Sequence, residues 1–231
     1  MINDNTILAI IPARGGSKEI PRKNIKPLAD KPLIAWTIEE AKKSIYIDRL
    51  ILSSEDEEII KIAREYGCEV PFVRPLELAK DEISGIEPVI HAIKSINKQY
   101  DYVILLQPTS PLRNSEDIDA SLKLCISYNY KACVSVVNVS QHPYLMHSVN
   151  KKNELTSFIK NTGKISRRQE LPILYILNGA IFIANIKWLL KSKNFIYKNT
   201  LAFKMEKDKS IDIDNEIDFF IAEQLLKKNS F

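Results

Sequence analysis

From Ile11 to Asn24 the chain reads Ile-Pro-Ala-Arg-Gly-Gly-Ser-Lys-Glu-Ile-Pro-Arg-Lys-Asn, so Arg14, Lys18, Arg22 and Lys23 surround Gly15-Gly16. Adjacent glycines let main-chain N–H groups close on an anion, and the four side chains add positive charge. This is the chemistry of a polyphosphate cradle. It is neither of the two commonest phosphate loops. A Walker loop needs Gly-Lys-Ser/Thr after four spacer residues, and a dinucleotide fingerprint needs a third glycine. The alternative is a surface turn with solvated lysines. The apolar run at residues 6–11, strand-like, and the helical spacing after Lys31 favour the cradle, because α/β proteins bind phosphates beyond the carboxyl ends of strands.

A second stretch with chemistry is Leu105-Leu106-Gln107-Pro108-Thr109-Ser110-Pro111-Leu112-Arg113. An apolar run stops at a proline-stiffened polar turn. Gln107 offers donors and an acceptor suited to a base edge or a sugar hydroxyl, with the Thr109 and Ser110 hydroxyls beside it. The third is Ser210-Ile211-Asp212-Ile213-Asp214. In extended chain Asp212 and Asp214 face one side, and paired acids invite a cation such as Mg²⁺ shared with phosphate oxygens. Asp214 as a cap of the last helix is the competing reading. Lesser features are Arg74 and Asp81, which read as an exposed ion pair with Ser84 close behind. Arg167 and Arg168 could clamp a carboxylate. Asn178-Gly179-Ala180 reads as a turn.

Elements that can position these groups alternate along the chain. Strands are expected at residues 6–11, 49–53, 69–73, 102–106, 132–137 and 178–183. Helices are expected at 32–44, 57–66, 87–97, 115–128 (capped by Ser115), 187–190 and 215–228. This rhythm gives an α/β fold with a doubly wound, mostly parallel sheet. Residues 139–174 break it. They are polar and irregular but carry Tyr144, Leu145, Met146, Leu155 and Phe158, and are too few for a core of their own. We read one domain, 1–231, with an arm at 139–174 that projects from the sheet to close a site or meet a second subunit.

Composition narrows the function classes. Of 231 residues 45% are hydrophobic, and no apolar run approaches the ~20 that span a bilayer. The amino terminus lacks a basic-then-apolar signal pattern, and Cys68, Cys125 and Cys133 have no pairing spacing, as suits reduced thiols in a cytoplasm. His91, His142 and His147 are too scattered for a zinc site. A net charge of +4 without a basic block fits a small anionic substrate, with no nucleic acid and no membrane as partners.

Taken in order, Ile11 to Lys18, Pro21 to Asn24, Arg74-Pro75 with Glu77-Leu78-Ala79 and Asp81, Leu106 to Arg113, Asn178 to Ile181 and Ser210 to Asp214 resemble the acylneuraminate cytidylyltransferases over nearly the whole chain. The resemblance implies a nucleotide-diphospho-sugar transferase-like fold. It also implies transfer of CMP from CTP to a nine-carbon 2-keto sugar acid, with pyrophosphate released. It implies that Arg14, Ser17 and Lys23 hold the triphosphate, Lys23 acting at the α-phosphate. Asn24, Arg74 and Ser84 would help bind the nucleotide. Gln107 and Arg168 would meet the sugar acid, and Asp212 and Asp214 would hold Mg²⁺. The arm would be a homodimerisation device reaching the partner's site.

The chain departs from the family pattern at several positions. Glu19 stands where glycine is usual, and Ser54-Glu55 replaces Thr-Asp. Leu145 and Ile176 stand where sialic acid enzymes carry lysine and arginine. These last two leave legionaminic and pseudaminic acids as candidates beside N-acetylneuraminate, and lean towards a deoxy, diamido sugar. A metal-dependent glycosyltransferase, which also uses Asp-x-Asp, and a non-catalytic nucleotide-binding relative are the other readings. The order of the motifs favours the synthetase.

Overall fold

The computed structural model describes residues 2–159 and 171–229. The amino-terminal half runs β1 (Ile7–Pro12), β2 (Pro27–Leu28), β3 (Lys31–Pro32), α1 (Leu33–Lys43), β4 (Arg49–Ser53), α2 (Glu57–Glu65), α3 (Ile86–Lys94) and β5 (Tyr102–Leu106). It continues as α4 (Ser115–Ser127), β6 (Ala132–Asn138), β7 (His147–Val149), β8 (Leu155–Ser157), β9 (Tyr175–Asn185), α5 (Ile186–Ser192), β10 (Leu201–Lys204) and α6 (Glu216–Asn229).

Six strands form one sheet in the order β10-β6-β9-β5-β1-β4. All its pairings are parallel except those of β9, which is antiparallel to both β5 and β6. Buried on both faces, β1 and β5 are continuous apolar runs, as interior parallel strands must be. Ile7, Ala9, Ile11, Leu52, Ile104 and Leu106 pack into one core with residues of α1, α2 and α4. Leu8, Ile10, Ile51, Val103 and Leu105 pack into another with residues of α3 and α5. The sheet is therefore doubly wound, as the alternating pattern implies. A third cluster joins Ile20, Leu28, Leu33, Leu112 and Ile213 to Phe219, Ala222 and Leu226 of α6.

Several sequence expectations need correction. Residues 69–73 form no strand; only Glu69 bridges Ile51. Strand β10 was not expected, because its alternating, half-exposed Leu-Ala-Phe-Lys lies among polar residues. Asn114, not Ser115, caps α4, in a capping box closed by Asp117. Of the two readings of Asn178-Gly179, the strand over 178–183 holds and the turn does not: both residues belong to the longer strand β9.

The antiparallel sense of β9 follows from the arm. Residues 139–174 leave the end of β6 and return beside it, with Val139 N–H donating to Leu174 O and Asn138 opposite Tyr175. The base is pinned by buried His142, whose Nε2 lies 3.1 Å from Pro172 O. The described part of the arm holds the β7–β8 hairpin, turned at residues 150–154.

Candidate active site

The carboxyl ends of the parallel strands meet at a cleft of about 600 Å³. Its wall contains Arg14, Ser17, Lys23, Asn24, Arg74, Ser84 and Gln107. The loop after β1, the segment before α3 and the turn after β5 thus converge at one sheet edge. Because β9 runs back from the arm, its Asn178-Gly179 stretch lies just beyond the end of β5, where Leu106 pairs with Ile181.

Lys23 joins the first loop to the Asp212–Asp214 segment. Its half-buried ammonium donates to Ile213 O at 2.7 Å and lies 3.9 Å from the Asp214 carboxylate. Ile213 N–H in turn donates to Thr109 O at 2.8 Å. Asn24 is buried and its amide donates to Arg14 O at 2.9 Å, holding the loop rather than standing free in it.

Asp212 and Asp214 differ in environment. Asp214 is exposed and does not cap α6; Asn215 does, accepting from the N–H groups of Ile217 and Asp218. Asp212 is half-buried, and its Oδ1 is buried without a hydrogen-bond partner. Burial raises its carboxyl above 3.8, with Asp214 adding to the rise and Thr109 and Lys23 opposing it. Among the described residues no three His, Cys, Asp or Glu side chains gather as metal ligands. A buried, unsatisfied carboxylate oxygen with a second acid close in sequence nevertheless suits Mg²⁺, which takes one or two carboxylates and completes its shell from phosphates and water.

Gly179 brings two of these groups together. Its φ is +74°, and a Cβ there would sit 2.6 Å from Asp212 Oδ2 and 3.3 Å from Gln107 Oε1. The ladder between β6 and β9 slips beside it, between Val134 and Val136. The Ser135 hydroxyl fills the gap, accepting from Ile181 N–H at 2.8 Å and donating to Asn178 Oδ1 at 2.6 Å. The Asn178 amide donates to Ser210 Oγ at 2.9 Å, which ties this bulge to the start of the Asp212 segment.

The cations of the first loop divide. Arg14 and Lys18 face Asp81, at 2.6 Å and 2.8 Å, and lower its carboxyl pKa. Arg22 turns away, adopts φ 55° and pairs with Asp56 and Glu58 at the start of α2, so it leaves the cradle one charge short of the sequence count. Arg74 is not the exposed partner of Asp81. It is 4% exposed, bound to Glu55 and to Ala13 O. Glu55 also accepts from Gly15 N–H at 2.7 Å, so Glu55 and Arg74 brace the glycine turn. Sequence reading noted Glu55 only as a departure from a family pattern, and its bracing role had no local signal. Nor was there any signal for the far wall, formed by Phe182 and residues 193–196.

Arg167 and Arg168 lie outside the described residues. Leu145, on the arm, and Ile176, at the start of β9, do not line the cleft of their own chain and are 56% and 58% exposed. The three cysteines are free and buried, with the Cys68 and Cys133 thiols pushed up to about 12 by burial, so they are poor nucleophiles. Among the described residues no helix is long and apolar enough to cross a membrane.

The chain is 38% identical over 225 residues to an N-acylneuraminate cytidylyltransferase of Escherichia coli, an alignment covering 97% of this chain and 53% of that protein. It thus spans about half the length of that relative. It is 36% identical to a CMP-N,N'-diacetyllegionaminic acid synthase of Legionella pneumophila, over 96% of this chain and 97% of the relative. The solved structure of CMP:2-keto-3-deoxy-manno-octonic acid synthetase complexed with CTP superposes with a TM-score of 0.73, at 16% identity, over 97% of this chain and 99% of that one, a likeness of fold. The cytidylyltransferase family profile matches residues 8–230, and the chain belongs to that family of nucleotidyltransferases.

Proposed function

We propose that the protein, as one cytidylyltransferase domain, transfers CMP from CTP to the anomeric hydroxyl of a nonulosonic acid and releases pyrophosphate. The observation that carries this reading is convergence. The glycine loop, Lys23 and Gln107, distant in sequence, line one cleft, and the Asp212 segment, which does not line it, adjoins through the Lys23–Ile213 and Ile213–Thr109 hydrogen bonds. Relatives that share 38% and 36% identity are named for CMP transfer to sugar acids of this kind.

In this reading Arg14 and Ser17 grip the triphosphate, while Asn24, Arg74 and Ser84 shape the nucleoside end of the cleft. Lys23 reaches across to stabilise negative charge growing on the α-phosphate. Gln107 orients the sugar acid, assisted from the arm by Arg168. Asp212 and Asp214 hold Mg²⁺, which when bound neutralises and polarises the triphosphate. Attack by a hydroxyl on a phosphoryl group needs in-line placement and charge stabilisation, and these residues provide both. None of the described cleft-lining residues is a histidine, so a histidine base is no part of the reading.

A cytoplasmic setting agrees with the three free thiols. Leu145 and Ile176, exposed and absent from the cleft of their own chain, would meet the sugar acid in the cleft of a second copy, and a two-fold homodimer is part of the proposal. There they would favour a deoxy, diamido acid, because an apolar wall gains nothing from a terminal hydroxyl. The test is pyrophosphate release, which must require CTP, Mg²⁺ and a sugar acid together. Failure with N-acetylneuraminic, legionaminic and pseudaminic acids alike would overturn the activity. A preference for N-acetylneuraminate in kcat/KM would overturn only the sugar.

A further inference from the structure

Arg113 is the largest side chain the fold buries completely, at 1% exposure. A guanidinium out of water is expensive unless its donors are matched. Its matches here are incomplete and unusual: Nε is buried without a partner, and only the two terminal nitrogens are bonded. Nη1 donates to Ala180 O at 2.9 Å and to Gln107 O at 3.3 Å, and Nη2 donates to the Thr37 hydroxyl at 2.8 Å. Thr37, itself fully buried in α1, passes the contact on to Gln107 O at 3.4 Å. Among the described residues no carboxylate hydrogen-bonds to Arg113. Asp117 is occupied by the α4 capping box and Lys209, and Glu40 by Ser115 N–H and Lys43. Burial accordingly lowers the guanidinium to about 10, still cationic at neutral pH.

The bonded oxygens have particular locations. Gln107 O belongs to the residue that follows β5 and lines the cleft. Ala180 O belongs to the residue after Gly179, where Gln107 Oε1 and Asp212 Oδ2 occupy the space a Cβ would need. One planar fork therefore ties the turn after β5, which carries the Gln107 amide, to the stretch of β9 next to Gly179, the position that Asp212 also faces. A lysine ammonium has no fork to span both carbonyls and Thr37 together.

The geometry points to Arg113, with Thr37, as a positioning residue that sets the distance between the sugar-orienting amide of Gln107 and the cation-holding carboxylate of Asp212. This rests on the roles given to Gln107 and Asp212 above. The nucleotide wall, built from Arg14, Asn24 and Arg74, is held by other contacts, so its function should be spared.

The test uses Arg113→Lys and the near-isosteric Thr37→Val in the full chain. In steady-state kinetics Arg113→Lys is expected to raise the KM for the sugar acid about tenfold and leave the KM for CTP within about twofold, with Thr37→Val giving a smaller change of the same kind. Crystal structures of the variants should show the Gln107 amide displaced from Asp212 by more than about 0.5 Å, the tolerance of a preorganised site. Wild-type sugar KM in both folded variants, or equal rises for both substrates, would overturn the proposal. If Arg113→Lys does not fold, Thr37→Val carries the test alone. If the wild type turns over no sugar acid, the functional reading fails, while an unmoved Gln107 in the variant structures independently overturns this one.

Discussion

Asp212 shows how a site keeps a charge that the unliganded fold does not fully compensate. Its buried Oδ1 has no partner, and burial raises its carboxyl above 3.8. With the folded value above the unfolded one, ionisation of Asp212 opposes folding. The penalty is absent below pH 3.8 and complete above the raised folded value. Asp212→Asn is therefore expected to raise Tm by about 2 °C at pH 7, modest because the group is partly solvated, and the gain should vanish as pH falls towards the unfolded value. If Asp212 holds the cation as proposed, the wild type should gain Tm with Mg²⁺ and CTP together, and the same variant should not. Differential scanning calorimetry across pH, with and without EDTA, checks both; an unchanged or lower Tm at pH 7 would count against the account. Asp81 stands beside the phosphate loop for the opposite reason, since its carboxylate occupies Arg14 and Lys18 where phosphates would bind. Asp81→Asn should tighten CTP binding about threefold at low salt, the advantage shrinking as salt rises. Calorimetric titration at two ionic strengths reads this, and weaker binding would refute it.

At the scale of elements, the glycine turn depends on a brace between distant segments. Glu55, just after β4, holds Gly15 N–H and the buried Arg74, whose Nη2 also donates to Ala13 O. Glu55→Ala strands that guanidinium, a change that costs about 3–5 kcal/mol when a buried pair is broken. Urea denaturation should show a loss of that size, and a loss under 1 kcal/mol would mean Arg74 finds water instead. The legibility of the fold also divides at this scale. Continuous apolar runs such as Tyr102–Leu106 announce central strands, and the stripe of Ile59, Ile60 and Ala63 announces α2, because burial on a fixed period leaves a mark in one short window. The direction of β9 left no such mark. Asn178-Gly179 has the composition of a turn, yet it forms a bulge because Ser135 on the neighbouring strand supplies the missing hydrogen bonds. Likewise Asp212 and Asp214 were legible as a pair, while the approach of both Gln107 and Asp212 to Gly179 depends on its +74° φ and on long-range packing. Gly179→Ala tests that dependence. It forces a Cβ against both side chains in a left-handed backbone, and should destabilise by about 1–3 kcal/mol. A fully stable, fully active variant would show that the approach is incidental.

The whole molecule has a sheet domain with well-filled cores and an arm whose described residues enter none of them. Leu145, Met146, Val149, Leu155 and Phe158 are exposed on the arm, and Ile173, Ile176 and Leu177 continue this surface towards the sheet. This many exposed apolar residues on and beside one hairpin are what a second copy of the chain would cover in the proposed homodimer. Closed two-fold assembly is the commonest way to bury them, and a second copy of the same arm supplies matching apolar residues. A stable interface of this kind should cover at least about 1,000 Å². We therefore expect sedimentation equilibrium at micromolar concentration to report a dimer. The double variant Leu155→Glu with Phe158→Glu should dissociate it while leaving the sheet domain folded, since neither residue enters a core cluster. Because Leu145 and Ile176 lie outside the cleft of their own chain, dissociation should weaken sugar-acid use far more than CTP binding. A monomeric variant with unaltered kcat/KM for the sugar acid would show that each chain completes its site alone, and that the exposed arm serves some other contact.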